Sequence, residues 1–198
     1  MDLQIMHHPL ILHFEGYLPF TKDEKDLILS NCRERKLARK ELLLQAGSQC
    51  KHYTLVVEGC LRMFAIDDRG NEHNIQFAAE NHWIADISSF HSGNPSKLFI
   101  KSLEPSRIIQ IEKQDLYHLY LSINKLDRIF KVIIENKFVE LQDRVLQNIS
   151  STAHERYQTF VEHYPNLVLR LPNTQIASYL GITPEFLSKV RKDLAEKG

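Results

Sequence analysis

Between positions 116 and 148 the chain contains neither glycine nor proline, while five of its seven glycines (Gly16, Gly47, Gly59, Gly70 and Gly93) stand before that stretch. A run this long without either breaker favours helix over most of its length. The region ahead of it is punctuated by turns and follows a different rule. Thr21 and Glu24 form a capping box, and Leu27, Ile28 and Cys32 supply the apolar positions of one short helix ending near Cys32. From Lys36 to about Ile111, β-type runs are expected at 41–44, 53–57, 61–66, 73–78, 98–103 and 107–111. Turn formers at Gly47-Ser48, Glu58-Gly59, Asp67 to Asn71 and Gly93-Asn94-Pro95 separate them. Many short strands at this spacing indicate an antiparallel sandwich or barrel.

The second half of the glycine-free stretch carries an apolar stripe. Phe130, Ile134, Phe138, Leu141, Val145 and Ile149 recur at spacings of three and four, the period of one helix face. Ile129, Val132, Ile133, Val139 and Leu146 broaden it. A helix of roughly 25 residues is about 37 Å long. It outruns a small sheet, so one side is expected to cover its own domain and the other a twin helix; packing wholly within one chain is the alternative.

With 43% apolar and 25% charged residues the composition is that of a folded globular chain. Its 25 basic and 25 acidic side chains cancel, so nucleic acid can be drawn only by a local patch. The apolar N-terminal segment 8–12 lacks the marks of a secretory signal, and no run approaches the ~20 residues of a membrane span; a cytoplasmic location is expected. Cys32, Cys50 and Cys60 match neither a disulfide framework nor a paired metal clamp. His73, His82 and His91 lack zinc-ligand spacing, so no metal is expected.

From about Ser151 strand patterns cease. Residues 153–164 read as a helix ended by Pro165, 167–171 as a connector, and 173–198 as a compact helix pair. In the first helix Ile176, Ala177 and Leu180 share a side, and Ala177 is small enough for a steep helix crossing. Gly181 takes the left-handed stop at no steric cost, and Ile182 can plug the corner. Thr183 is a good N-cap and Pro184 suits the first helical position of the second helix. There Phe186, Leu187, Val190 and Leu194 form the apolar side, while Glu185, Ser188, Lys189 and Lys192 line the opposite one. Such a polar face suits a major groove, where lysine donates to guanine or phosphate and glutamate accepts from cytosine. Thr174 and Gln175 are placed to bond the phosphate backbone at a helix N-terminus. A helical hairpin with a solvated face would carry the same charges, four basic against three acidic residues over 184–198; the alanine, glycine and apolar spacing favours DNA.

These features, in order, resemble the family of the cyclic-AMP receptor protein and the fumarate/nitrate-reduction regulator (Crp/Fnr) over essentially the whole chain. The glycine turns resemble Gly47, Gly59 and Gly70, and the C-terminal motif is similar at Ala177, Gly181, Ile182, Leu187 and Val190. The resemblance implies an α+β chain with three parts. An N-terminal antiparallel β-roll of the cyclic-nucleotide-binding type (a double-stranded β-helix) would be the sensor over 1–124. A dimerisation helix would span 125–149, on Phe130, Ile134, Phe138, Leu141 and Val145, and an all-α helix-turn-helix domain 150–198. It places the base-reading positions on Pro184, Glu185 and Lys189. It implies a homodimer on double-stranded DNA, with RNA polymerase as a further partner of an activator, and a small-molecule effector in the β-roll.

Two departures bear on that effector. The family's phosphate-binding cassette corresponds to Ala85, Asp86, Ser96 and Lys97, and Ser96 stands where cyclic-AMP-binding members have an arginine. A hydroxyl cannot replace a charge-assisted bidentate partner, which argues against canonical cyclic AMP. Lys97, one residue out of register, is expected to face the other way. The cysteines of the oxygen-sensing branch are missing, so no iron–sulfur cluster is expected, and a β-wing past the recognition helix is not expected either. A small-molecule-binding module whose terminal helices contact protein is the competing reading. An enzyme is not expected, because the acids and histidines form no nucleophile–base–orienter pattern.

Overall fold

The computed structural model describes residues 7–196. The chain divides into two compact units: the residues up to Met63 with Phe77–Ile134, and Phe64–Gln76 with the residues from Glu135 onward.

Among the described residues the first unit begins with two helices, α1 (Pro9–Glu15) and α2 (Lys22–Ser30). Proline at the first position starts α1, which buries Leu10, Ile11 and Phe14. The Thr21–Glu24 capping box starts α2 as the sequence predicts. Eight strands follow: β1 (Arg33–Leu37), β2 (Leu42–Leu44), β3 (His52–Glu58), β4 (Leu61–Ile66), β5 (Glu72–Ala78), β6 (Trp83–Ile84), β7 (Phe99–Ser102) and β8 (Ser106–Glu112). They form two four-stranded sheets, ordered β1-β8-β3-β6 and β2-β7-β4-β5. β1 runs antiparallel to β8 from Arg33 opposite Gln110 to Leu37 opposite Ser106, and β3 flanks β8 from His52 opposite Glu112.

Strand alternation distributes the core. Tyr53 on β3 meets the rings of Trp83, Phe90 and Phe130, whereas Thr54 points the other way and takes a bond from the Gln110 amide. Gly59 is required between β3 and β4: its φ is 96°, and a Cβ there would stand 2.3 Å from Ser106 Oγ.

Two strands lie outside the expected runs. β1 is a charged edge strand with only Leu37 buried, so hydropathy does not mark it, and β6 has two residues. Helix α3 (Ile87–Ser92), also unforeseen, is capped by the Asp86 carboxylate, which accepts from Ser89 N at 3.2 Å. The glycine-free stretch forms two helices, α4 (Lys113–Ser122) and the 27-residue α5 (Asn124–Ser150), parted at the buried Ile123.

Beyond α5 the second unit contains α6 (Ala153–His163), α7 (Leu167–Arg170), α8 (Asn173–Leu180) and α9 (Pro184–Ala195). A Thr152–Glu155 capping box starts α6. Tyr157, Phe160, Tyr164, Ile176, Ala177, Leu180, Leu187 and Val190 are its buried centre. Among the described residues no helix is long and apolar enough to cross a membrane.

Candidate nucleic-acid interface and sensor cradle

The helix pair has the boundaries its residues dictate. Gly181 is left-handed at φ 67°, ψ 35°, and the Thr183 hydroxyl accepts from Phe186 N at 3.2 Å with Pro184 at the first position of α9. Ala177 is fully buried. Glu185, Ser188, Lys189 and Lys192 are all exposed along one side of α9, over the buried Leu187 and Val190. The Ser188 hydroxyl also bonds back to the Pro184 carbonyl at 3.0 Å. Phe186 departs from the expected apolar side: it is 43% exposed, because Leu187 takes the inward position next to it. Arg191 ties the two helices, donating to Asn173 Oδ1 at 2.7 Å with its guanidinium above the Tyr157 ring.

Helix α8 is held by groups that sequence reasoning missed. The Asn74 side-chain amide donates to the Gln175 carbonyl at 2.9 Å and to Gln175 Oε1 at 3.0 Å. Ser178 Oγ accepts from Asn74 N at 3.0 Å and donates to the Glu72 carbonyl at 2.8 Å. Arg144 of α5 donates to the carbonyls of Asn74 and Tyr179, each at 2.9 Å, and to that of Ile75, and stacks on the Tyr179 ring at 3.9 Å. Thr174 is exposed, whereas Gln175 is engaged in this lock. Next to it the Tyr164 hydroxyl donates to Glu140, and burial pushes the Tyr164 and Tyr179 hydroxyls to raised pKa values.

In the first unit Ala85, Asp86 and Ser96 are buried together and Lys97 is exposed. Ser96 Oγ donates to Asp86 Oδ2 at 2.6 Å, and the other Asp86 oxygen caps α3. Ser89 Oγ donates to the Asn94 carbonyl at 2.6 Å and accepts from Cys50 N at 2.9 Å. Both Asp86 oxygens and the Ser89 and Ser96 hydroxyls of this cradle are thus engaged within the chain. A separate cavity of about 210 Å³ opens where β1, β2, β3, β7 and β8 converge, reached by Arg35, Gln49, Lys51, Thr54, Ile100 and Gln110. Burial depresses the pKa of His52 at its edge and raises that of Cys50.

The apolar stripe of α5 divides along its length. Phe130 is buried in its own chain's aromatic cluster, where Phe14, Tyr53, Trp83 and Tyr120 meet its ring, and is not available to a twin helix. Ile134, Phe138, Leu141, Val145 and Ile149 are exposed. None of the three cysteines is in a disulfide, and the described residues contain no cluster of metal-ligating groups.

Comparison with known proteins agrees with this arrangement. The family model of the cyclic nucleotide-binding domain matches residues 34–122. The chain is 19% identical over 181 residues to the cAMP-activated global transcriptional regulator CRP of Pasteurella multocida, covering 85% of this chain and 86% of that protein. It is 23% identical over 169 residues to the transcriptional activator protein Anr of Pseudomonas protegens, covering 80% and 68%. Its fold matches FixK2 from Bradyrhizobium japonicum with a TM-score of 0.75 at 18% identity, over 84% of this chain and 86% of that one.

Proposed function

We infer that this chain, which belongs to the Crp/Fnr family, is a cytoplasmic homodimeric regulator of transcription that reads DNA with α8 and α9. The observation that carries this reading is the polar row Glu185, Ser188, Lys189 and Lys192, exposed on a helix whose opposite side is buried and whose start is set by Thr183 and Pro184. Thr174 and Thr183 would position the phosphate backbone, while Pro184, Glu185 and Lys189 meet base edges; Gln175, expected beside Thr174, is instead held by Asn74. Two such helices in successive major grooves require a roughly palindromic site with half-sites about one helical turn apart. In this scheme residues 1–124 sense, 125–149 dimerise and 150–198 read DNA.

The buried Ser96–Asp86 bond supports an effector other than canonical cyclic AMP, since the carboxylate expected to meet the ribose is already paired with Ser96, which stands where cyclic-AMP-binding members have an arginine. Selection of duplexes from a random pool, with and without cyclic AMP, tests both points. A symmetric consensus unaffected by the nucleotide is expected, and Lys189→Ala should weaken binding by about 1–3 kcal/mol with altered base preference. Equal binding of selected and random duplexes at physiological salt would refute the reading.

A further inference from the structure

We propose that the cavity reached by Arg35, Gln49, Lys51, Thr54, Ile100 and Gln110 is the effector site, and that it takes a small monocarboxylate with a short apolar body. The proposal rests on the sensor reading of this unit and names the ligand class. Size is the first argument. At about 210 Å³ the cavity lies below the roughly 300–1,000 Å³ of pockets that hold drug-sized ligands, which favours a small occupant.

Charge is the second. Arg35 and Lys51, both exposed side chains, stand at the cavity, and no aspartate or glutamate lines it among the described residues. Arg35 gives one N–H to Glu41 at 2.7 Å, and that carboxylate is held in place by Ala38 N at 2.7 Å. A guanidinium has five donors, so this pairing leaves capacity for an anion. Gln49, Thr54 and Gln110 add neutral hydrogen-bonding groups, and the Gln110–Thr54 contact of 3.3 Å is long enough to yield to a ligand. Leu44, Ile100 and Cys50, all buried, form an apolar wall for a short carbon chain. Cationic, neutral polar and apolar lining together suit a carboxylate with a small hydrocarbon tail.

The location also couples the cavity to the closed cradle. Gln49 bridges to Pro95, and its amide nitrogen lies 3.1 Å from where a Cβ on Gly93 would stand. Cys50 N is held by Ser89. A ligand that pulls on Gln49 or Cys50 is therefore felt directly by the 85–97 loop.

The test uses the full chain with hexanoate and benzoate as probes, hexanamide and benzamide as uncharged counterparts, and cyclic AMP as a third comparison. Calorimetric titration and thermal unfolding are expected to show binding by at least one carboxylate, at least tenfold weaker binding of its amide, and no shift with cyclic AMP. Lys51→Glu, at an exposed position, should weaken the carboxylate at least tenfold, and Ile100→Trp should abolish binding by filling the cavity. Should Ile100→Trp fail to fold, Lys51→Glu alone decides. Absence of binding by both carboxylates, equal binding of the amides, or an unchanged affinity in Lys51→Glu overturns the proposal. Duplex binding measured on the same preparation separates the two readings: DNA recognition without carboxylate binding removes the ligand assignment and leaves the regulator intact.

Discussion

Replacing Leu141 by glutamine probes whether the open face of α5 is a self-association surface. Leu141 is 50% exposed, and its stripe neighbours Phe138 and Val145 are 59% and 51% exposed. Full burial of a leucine is worth about 1.5–3 kcal/mol, so covering the open half of Leu141 contributes roughly 0.75–1.5 kcal/mol per protomer. In a two-fold interface the same side chain counts twice. Loss of about 1.5–3 kcal/mol raises the dimer Kd roughly 10- to 150-fold. Glutamine is nearly as good a helix former as leucine, so α5 itself should persist. Sedimentation equilibrium over a concentration series measures the Kd, and circular dichroism checks the helix content. A Kd within threefold of the parent, with helix content preserved, would refute the argument, as would a parent chain that stays monomeric at every concentration.

Three further outcomes follow from the same geometry. Gly181→Val places a β-branched residue at φ 67° with no atom within 4 Å of its Cβ, so backbone strain alone should cost about 1–2 kcal/mol; an unchanged Tm would contradict the helix-stop assignment. Asn74→Ala removes both bonds to Gln175, and amide exchange in the first turn of α8 should quicken about tenfold, with α6 unaffected. Burial holds His13, which accepts from the Trp83 indole at 2.9 Å, at a pKa of about 4 against its ordinary 6.5. The unfolded chain therefore takes up that proton first, and stability declines as pH falls from about 6.5 to about 4. In His13→Gln that part of the pH dependence, read from urea midpoints at neutral and mildly acid pH, should flatten; an unchanged slope assigns it to other groups.

What could be read from the sequence was whatever is decided between close neighbours in the chain. A cap, a left-handed stop and a first-turn proline act over four residues or fewer, so Thr21 with Glu24, Gly181, and Thr183 with Pro184 marked their boundaries correctly. The period of the α5 stripe was equally plain, but not which end of it lies inside: Phe130 joins an aromatic cluster assembled from α1, β3, β6 and α4, and those partners are set by the fold. Phe186 and Leu187 are both apolar, and only packing in the helix pair decides that Leu187 goes in and Phe186 stays out. The bond between Asp86 and Ser96, the hold of Asn74 on Gln175 and the reach of Arg144 to three carbonyls join residues from 10 to 101 positions apart. Such pairs form only after the intervening loops have closed and water has been excluded around them. The sequence therefore determined the element ends that a cap, a glycine stop or a first-turn proline sets locally, but not the charged edge strand β1, the short β6 or the break at Ile123, and its tertiary structure alone decided which polar groups are engaged within the chain.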